Sequence, residues 1–228
     1  NYGDMADVCF DSSDNVYFVA WDGTIYFKNV RNDSDFSKFD TISLSKEYGN
    51  LNAIEVTSNG KYIMVGCDGN SGNMGDFFVI EKATHKIIYH KQNYVGFMGD
   101  YAQAISVSAD NSYVAYCSAT EVGVQILNLS TFKTDYVFPI KLCTAIKFSQ
   151  GGLFLSCADE KVVTEYNVRI GTALHEYKGF TTAVNKLQVN TDGKITSYHK
   201  SSLQVWDLQS AKAEPLAENI MNSSEGNV

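Results

Sequence analysis

One short pattern recurs five times along the chain, and it restricts the fold more than any other feature. An apolar-x-apolar step occurs at "VCF" (8–10), "IEV" (54–56), "ISV" (105–107), "IKF" (146–148) and "LQV" (187–189). Counted on the last residue, successive steps are 46, 51, 41 and 41 residues apart. Each is followed within a few residues by a pair suited to a tight turn: Asp14-Asn15, Asn59-Gly60, Asp110-Asn111, Gly151-Gly152 and Asp192-Gly193. Asp, Asn and Gly tolerate the positive φ angles that short hairpin turns demand. A second apolar run comes directly afterwards, as in "VYFVA", "KYIMVG", "SYVAYC", "LFLSCA" and "KITSYH". Two strands joined by a short turn, five times over, predict a repeat protein.

A third strand closes each unit on an aligned pair: Lys28-Asn29, Ile80-Glu81, Leu127-Asn128, Tyr166-Asn167 and Trp206-Asp207. The second position is Asn, Glu or Asp every time. A polar turn follows ("RNDS", "KATHK", "LSTFK", "VRIGT", "LQSAK"), then a weaker fourth strand such as "KIIYHKQ" (86–92) or "ALHEYKG" (173–179). Four short strands per repeat of roughly 40–45 residues is the pattern of a β-propeller blade. The fold class expected is therefore all-β, a propeller of four-stranded antiparallel blades. The blades fall at about 6–46, 51–92, 102–138, 143–178 and 183–217, and 218–228 forms a flexible tail.

The closing Trp206-Asp207 resembles the blade ending of the WD-repeat propeller family, and the junction "GFTTAVNKLQV" (179–189) is similar to the family's entry into a first strand. Phe180 stands where that family usually places His, and Ser201 lies near the expected Asp. Asp22, Asp68 and Glu160 sit near the acidic position in other units without the matching His and Trp. The hydrogen-bond chain that the family uses within a blade is thus incomplete, leaving stability to aromatic and β-branched packing between blades. The resemblance implies a ring of seven blades, so the five units are expected to be a segment of a larger propeller. A closed five-bladed ring is the second expectation, and a two-sandwich arrangement explains the near-equal spacing less well.

Charge and composition exclude several functions. The formal net charge is −8, and no dense Lys/Arg cluster offsets it, so neither nucleic acid nor an anionic membrane surface is an expected partner. No apolar run reaches the roughly 18–20 residues that cross a bilayer, so membrane insertion is not expected. The start, "NYGDMADVCF", has no signal-peptide pattern and no initiator Met, which fits a segment of a longer protein. Five Cys without CxxC spacing argue against a disulfide framework or zinc, and point to a reducing, cytoplasmic location.

No catalytic constellation stands out, and no cofactor or metal is expected. His85, His90, His175 and His199 read as solvent-facing residues. The Gly-rich "DGNSGNMGD" (68–76) lacks the following helix and Lys of a phosphate loop and the acidic spacing of an EF-hand. Cys67, Cys117 and Cys157 fall near the ends of second strands, where small buried residues fit.

The expected function is that of a non-catalytic scaffold or adaptor binding a protein or peptide within a larger chain or complex. By blade logic, the loops joining strands two and three share one end of the molecule with those leading into each first strand. The insertions 68–76 and 90–101 should project there together. Candidate partner-binding residues are Trp21, Asp22, Tyr48, Met74, Tyr94, Phe97, Met98 and Tyr101, since aromatic and Met side chains anchor interfaces. The alternative is a lactonase-like propeller hydrolase acting on a small sugar acid or lactone, because "VSADNSYVAYCS" and "VTSNGKYIMVGC" also resemble lactonase-type repeats. Only Arg31 and Arg169 are present as arginines, both in turns at the opposite end. That weakens the enzyme reading.

Overall fold

The computed structural model describes residues 4–32, 35, 38–44, 48–68, 75–95, 104–117, 123–140, 143–149, 152, 154–159, 161–178, 180, 183–184, 186–190, 195–199, 202–207 and 212–215. For 93–95, 154, 159, 197–199, 202–207 and 212–215 it describes the backbone alone. The chain is all-β and forms five four-stranded antiparallel sheets, each running in sequence order from first strand to fourth. They are the blades of a propeller.

The first blade contains β1 (Met5–Phe10), β2 (Asn15–Ala20), β3 (Thr24–Asn29) and β4 (Asp40–Ser43), and the second β5 (Leu51–Val56), β6 (Tyr62–Cys67), β7 (Gly75–Glu81) and β8 (Lys86–Val95). The third holds β9 (Ile105–Val107), β10 (Tyr113–Cys117), β11 (Val124–Asn128) and β12 (Lys133–Phe138). In the fourth are β13 (Cys143–Phe148), β14 (Phe154–Asp159), β15 (Val162–Asn167) and β16 (Thr172–Lys178). The fifth is β17 (Lys186–Val189), β18 (Ile195–His199), β19 (Ser202–Asp207) and β20 (Lys212–Pro215). Asn29, Glu81, Asn128, Asn167 and Asp207, the aligned polar column of the sequence, are the last residues of the five third strands.

Local chemistry explains the hairpins. Asp14, Gly60, Asn111 and Gly152 take φ of 60, 66, 59 and 65° in the turns between first and second strands. The fifth such turn, Asp192-Gly193, lies outside the described residues. Gly60 is required twice over: its φ is left-handed, and a Cβ there would meet Asp11 Oδ2 of the first blade at 2.7 Å.

Burial runs from inside to outside. In the first two blades the second and third strands are buried on both faces, as "VYFVA" and "DFFVI" show, so they read as near-continuous apolar runs, whereas β15 of the fourth blade alternates buried and half-buried residues. Among the described side chains, fourth strands are mostly exposed: β4, β12 and β16 each bury a single residue, Ile42, Phe138 and Tyr177. First strands neighbour one another in the order β1, β5, β9, β13, β17 around the axis.

The seams between blades hold most of the core. Cys9, Tyr17, Val19, Ile25 and Phe27 of the first blade pack on Ile54, Val56, Ile63, Val65, Phe78 and Ile80 of the second. Phe77 lies flat on Tyr116 across the next seam, with ring centres 3.9 Å apart, and Phe138 stacks on Tyr166 across the third at 4.2 Å. Hydrogen bonds add to this packing. Lys82 Nζ donates to Tyr17 Oη (2.6 Å), which in turn donates to Asp11 Oδ2 (2.7 Å). The Ile54 N–H is capped by Asp7 Oδ2 of the preceding blade at 3.0 Å, and the Phe148 N–H by Ser106 Oγ at 3.1 Å. Turns are tied to turns: Ser12 N–H donates to Ser58 O (2.9 Å), and Ser58 N–H to Asn111 Oδ1 (2.7 Å).

Charges gather at the axis. Lys147 Nζ reaches Glu55 Oε1 at 3.2 Å, joining the fourth blade to the second past β9. Burial pushes the Asp7 carboxyl up, while the N–H donors of Ile54 and Val8 and the charge of Lys186 on β17 pull it back.

Candidate interaction face

The end carrying the turns between second and third strands is assembled by short-range bonds. Trp21 and Asp22 occupy the β2–β3 turn. Asp22 Oδ1 accepts the Thr24 N–H (2.9 Å) and Oδ2 accepts the Tyr26 hydroxyl (2.8 Å), which fixes the turn, and Trp21 beside it is 45% exposed. The Trp21 N–H donates to Asp4 O at 3.0 Å, so the segment entering β1 lies beside this turn.

The second blade repeats the arrangement. Asn50 N–H donates to Asp68 Oδ1 (2.8 Å), and Asp68 N–H to Asn50 O (3.0 Å). The entry to β5 and the exit of β6 are thereby clamped at the same end, as the blade logic of the sequence requires. The two ends of the 68–76 insertion are held together by the Asp76 N–H donating to Cys67 Sγ at 3.1 Å.

His90 and Asp76 complete the patch. His90 Nε2 lies 2.7 Å from Asp76 Oδ2, with side chains 25% and 14% exposed. The imidazole stacks on Phe78, its cross-strand partner, at 4.5 Å, and Tyr48 meets both rings edge-on. The expectation of a solvent-facing histidine is corrected at this position: β7 and β8 pair so that His90 is sandwiched between rings. A break in register between Gly75 and Phe77 brings Asp76 alongside. His85 and His175 are exposed, as expected.

The Asp76–His90 contact matters because it joins the stem of the 68–76 insertion to the strand that runs into 90–101. No spacing in the sequence points to it, because it follows from the pairing register of β7 and β8. Trp21 and Asp22 are exposed, and Tyr48 is half-buried against Phe78. Met74, Phe97, Met98, Tyr101 and the Tyr94 side chain lie outside the described residues.

No three His, Cys, Asp or Glu among the described residues gather closely enough to hold a metal ion. All five cysteines are buried thiols. Burial pushes Cys9, Cys143 and Cys157 up, the opposite of the shift that activates a thiolate. No helix among the described residues is long and apolar enough to cross a membrane. No protein-family model matches the chain, and no curated protein is detectably similar to it.

Proposed function

We propose that this chain is a non-catalytic propeller scaffold that binds a protein or peptide at the end bearing Trp21 and the two insertions. The observation that carries the reading is the Asp76–His90 contact, which fixes the insertion stems side by side on a rigid, ring-stacked base. Rigid strands carrying adjoining loops make a recognition platform at little cost in ordering. The exposed Trp21 ring supplies the kind of amphipathic anchor that dominates interface energy. The likeness to WD-repeat propellers, a cytoplasmic setting and membership of a larger ring or assembly belong to the same proposal.

The test is photo-crosslinking inside cells with a reactive residue placed at 21 or 94, compared with one at Thr131 in a turn at the far end. One partner band shared by 21 and 94, and missing from 131, is the expected result. Combined Ala substitution of Trp21, Tyr94, Phe97 and Met98 should weaken binding of that partner at least about tenfold. Unchanged affinity would remove this face. Turnover of a lactone by the purified chain would instead favour the hydrolase.

A further inference from the structure

Register places Val8 opposite Phe18 and Phe10 opposite Val16 in the first blade. The equivalent pairs are Ile54 with Val65 and Val56 with Ile63 in the second, Ile146 with Cys157 and Phe148 with Leu155 in the fourth, and Leu187 with Ser197 and Val189 with Ile195 in the fifth. Those six first-strand residues are 7% exposed or less, each lying in a seam under the preceding blade. Val8 and Phe10 are 46% and 62% exposed, and Met5, opposite Ala20 on the same face, is 63% exposed. The outer half of this face is closed: Phe39 packs edge-on against Phe18, and Lys28 Nζ donates to Lys38 O at 3.0 Å. The inner half, the part a neighbouring blade covers in the other seams, stands open.

We propose that this apolar strip is the docking surface for one further four-stranded β-blade carried by polypeptide outside these 228 residues. The argument is continuity with an interface the molecule already builds repeatedly. In the second, fourth and fifth blades the residues equivalent to Val8 and Phe10 are buried in a seam with the preceding blade, and in the third Ile105 is buried and Val107 half-buried. The preceding blade supplies two things there: apolar side chains from its second and third strands, and an acceptor for an inner-edge N–H, as Asp7 does for Ile54 and Ser106 for Phe148. The occupant is therefore a sheet with an apolar face like that of Tyr17, Val19 and Ile25; the Val8 N–H, which corresponds to that of Ile54, is already taken by Asp7 Oδ1 at 3.0 Å and asks for no acceptor. The inference rests on the larger-ring part of the proposed function, but it concerns a different surface from the insertion-loop face and stands without that face.

Two measurements test it. In the 228-residue chain, V8S/F10S should leave the urea midpoint unchanged, because the strip is already solvated, whereas I54S/V56S should lower it sharply. Equal loss in both variants would mean that the chain covers the strip itself by closing its own ring, and the proposal would fall. A wild-type dimer that V8S/F10S converts to monomer in sedimentation would assign the strip to a second copy and likewise overturn it. The second measurement adds a copy of residues 1–46 ahead of Asn1 and follows amide exchange. Protection of the original residues 8–10 by about tenfold or more, abolished by V8S/F10S in the original blade, is the expected result. An added copy that exchanges as unfolded chain beside a folded original would refute the assignment.

Discussion

Tyr17 shows how much a single side chain does at the first seam. Its ring is fully buried, and its hydroxyl stands between the Lys82 ammonium and the Asp11 carboxylate. Tyr17→Phe keeps the ring but removes the hydroxyl that links Lys82 to Asp11, leaving Asp11 its bonds from Ser13 and Asn15, and should cost about 1–2 kcal/mol in urea unfolding. Asp11 itself is pushed up by burial, but hydrogen bonds from Asn15, Tyr17 and Ser13 outweigh that and hold its carboxyl below the usual range. Its folded value lies below its unfolded one, so its contribution is full above the ordinary aspartate range and disappears as pH falls through the folded value. Asp11→Asn should therefore flatten the acid limb of the stability profile. Glu165 has the opposite sign. Burial pushes it up, with His175 opposing, so its charged form costs stability once pH rises above the folded value. Glu165→Gln should raise the urea midpoint at pH 7, and the advantage should vanish as pH drops below the ordinary glutamate range.

At the scale of strands and turns, the first hairpin turn of each blade works as a spacer as well as a connection. Gly60 sits where the second blade's turn presses on Asp11, whose carboxylate is held by several donors and cannot step aside. Gly60→Ala adds left-handed backbone strain to that collision. A loss of roughly 1–3 kcal/mol is expected, with the fastest new amide exchange in 11–17 and 57–62. Much of this layer was legible beforehand. Asp14, Gly60, Asn111 and Gly152 are of turn-forming types, and they take the positive φ that those types permit. The fourth strands were the faintest in the sequence because one face of each meets water: β12 and β16 carry Lys, Thr, Glu and His among few buried residues. The Asp76–His90 contact has no signature in the sequence for a different reason. It depends on a register break that no local pattern encodes.

For the whole molecule, the decisive surface is the one near the axis. Lys147 and Glu55 join blades that are not neighbours in sequence, in a setting about one-quarter exposed. A double-mutant cycle of Lys147→Met with Glu55→Gln should return a coupling of about 0.5–1 kcal/mol that shrinks as salt is raised. A coupling indistinguishable from zero would mean that the axis charges do not help hold the blades in register. The face proposed for recognition and the strip at Val8 and Phe10 are built from different residues, so each can be altered without the other.

The sequence by itself determined the unit: five repeats, four strands in each, their order, and the residues at which they turn and end. Those properties follow from short-range physics, since φ preferences and the apolar period act within a few residues. Only the tertiary structure decided which faces of those units are covered. Val8-Cys9-Phe10 and Ile54-Glu55-Val56 follow one pattern, yet Phe10 faces water while Val56 is sealed beneath the first blade. Burial at a seam belongs to two sheets at once, and no strand carries in its own residues the presence of the neighbour that will cover it.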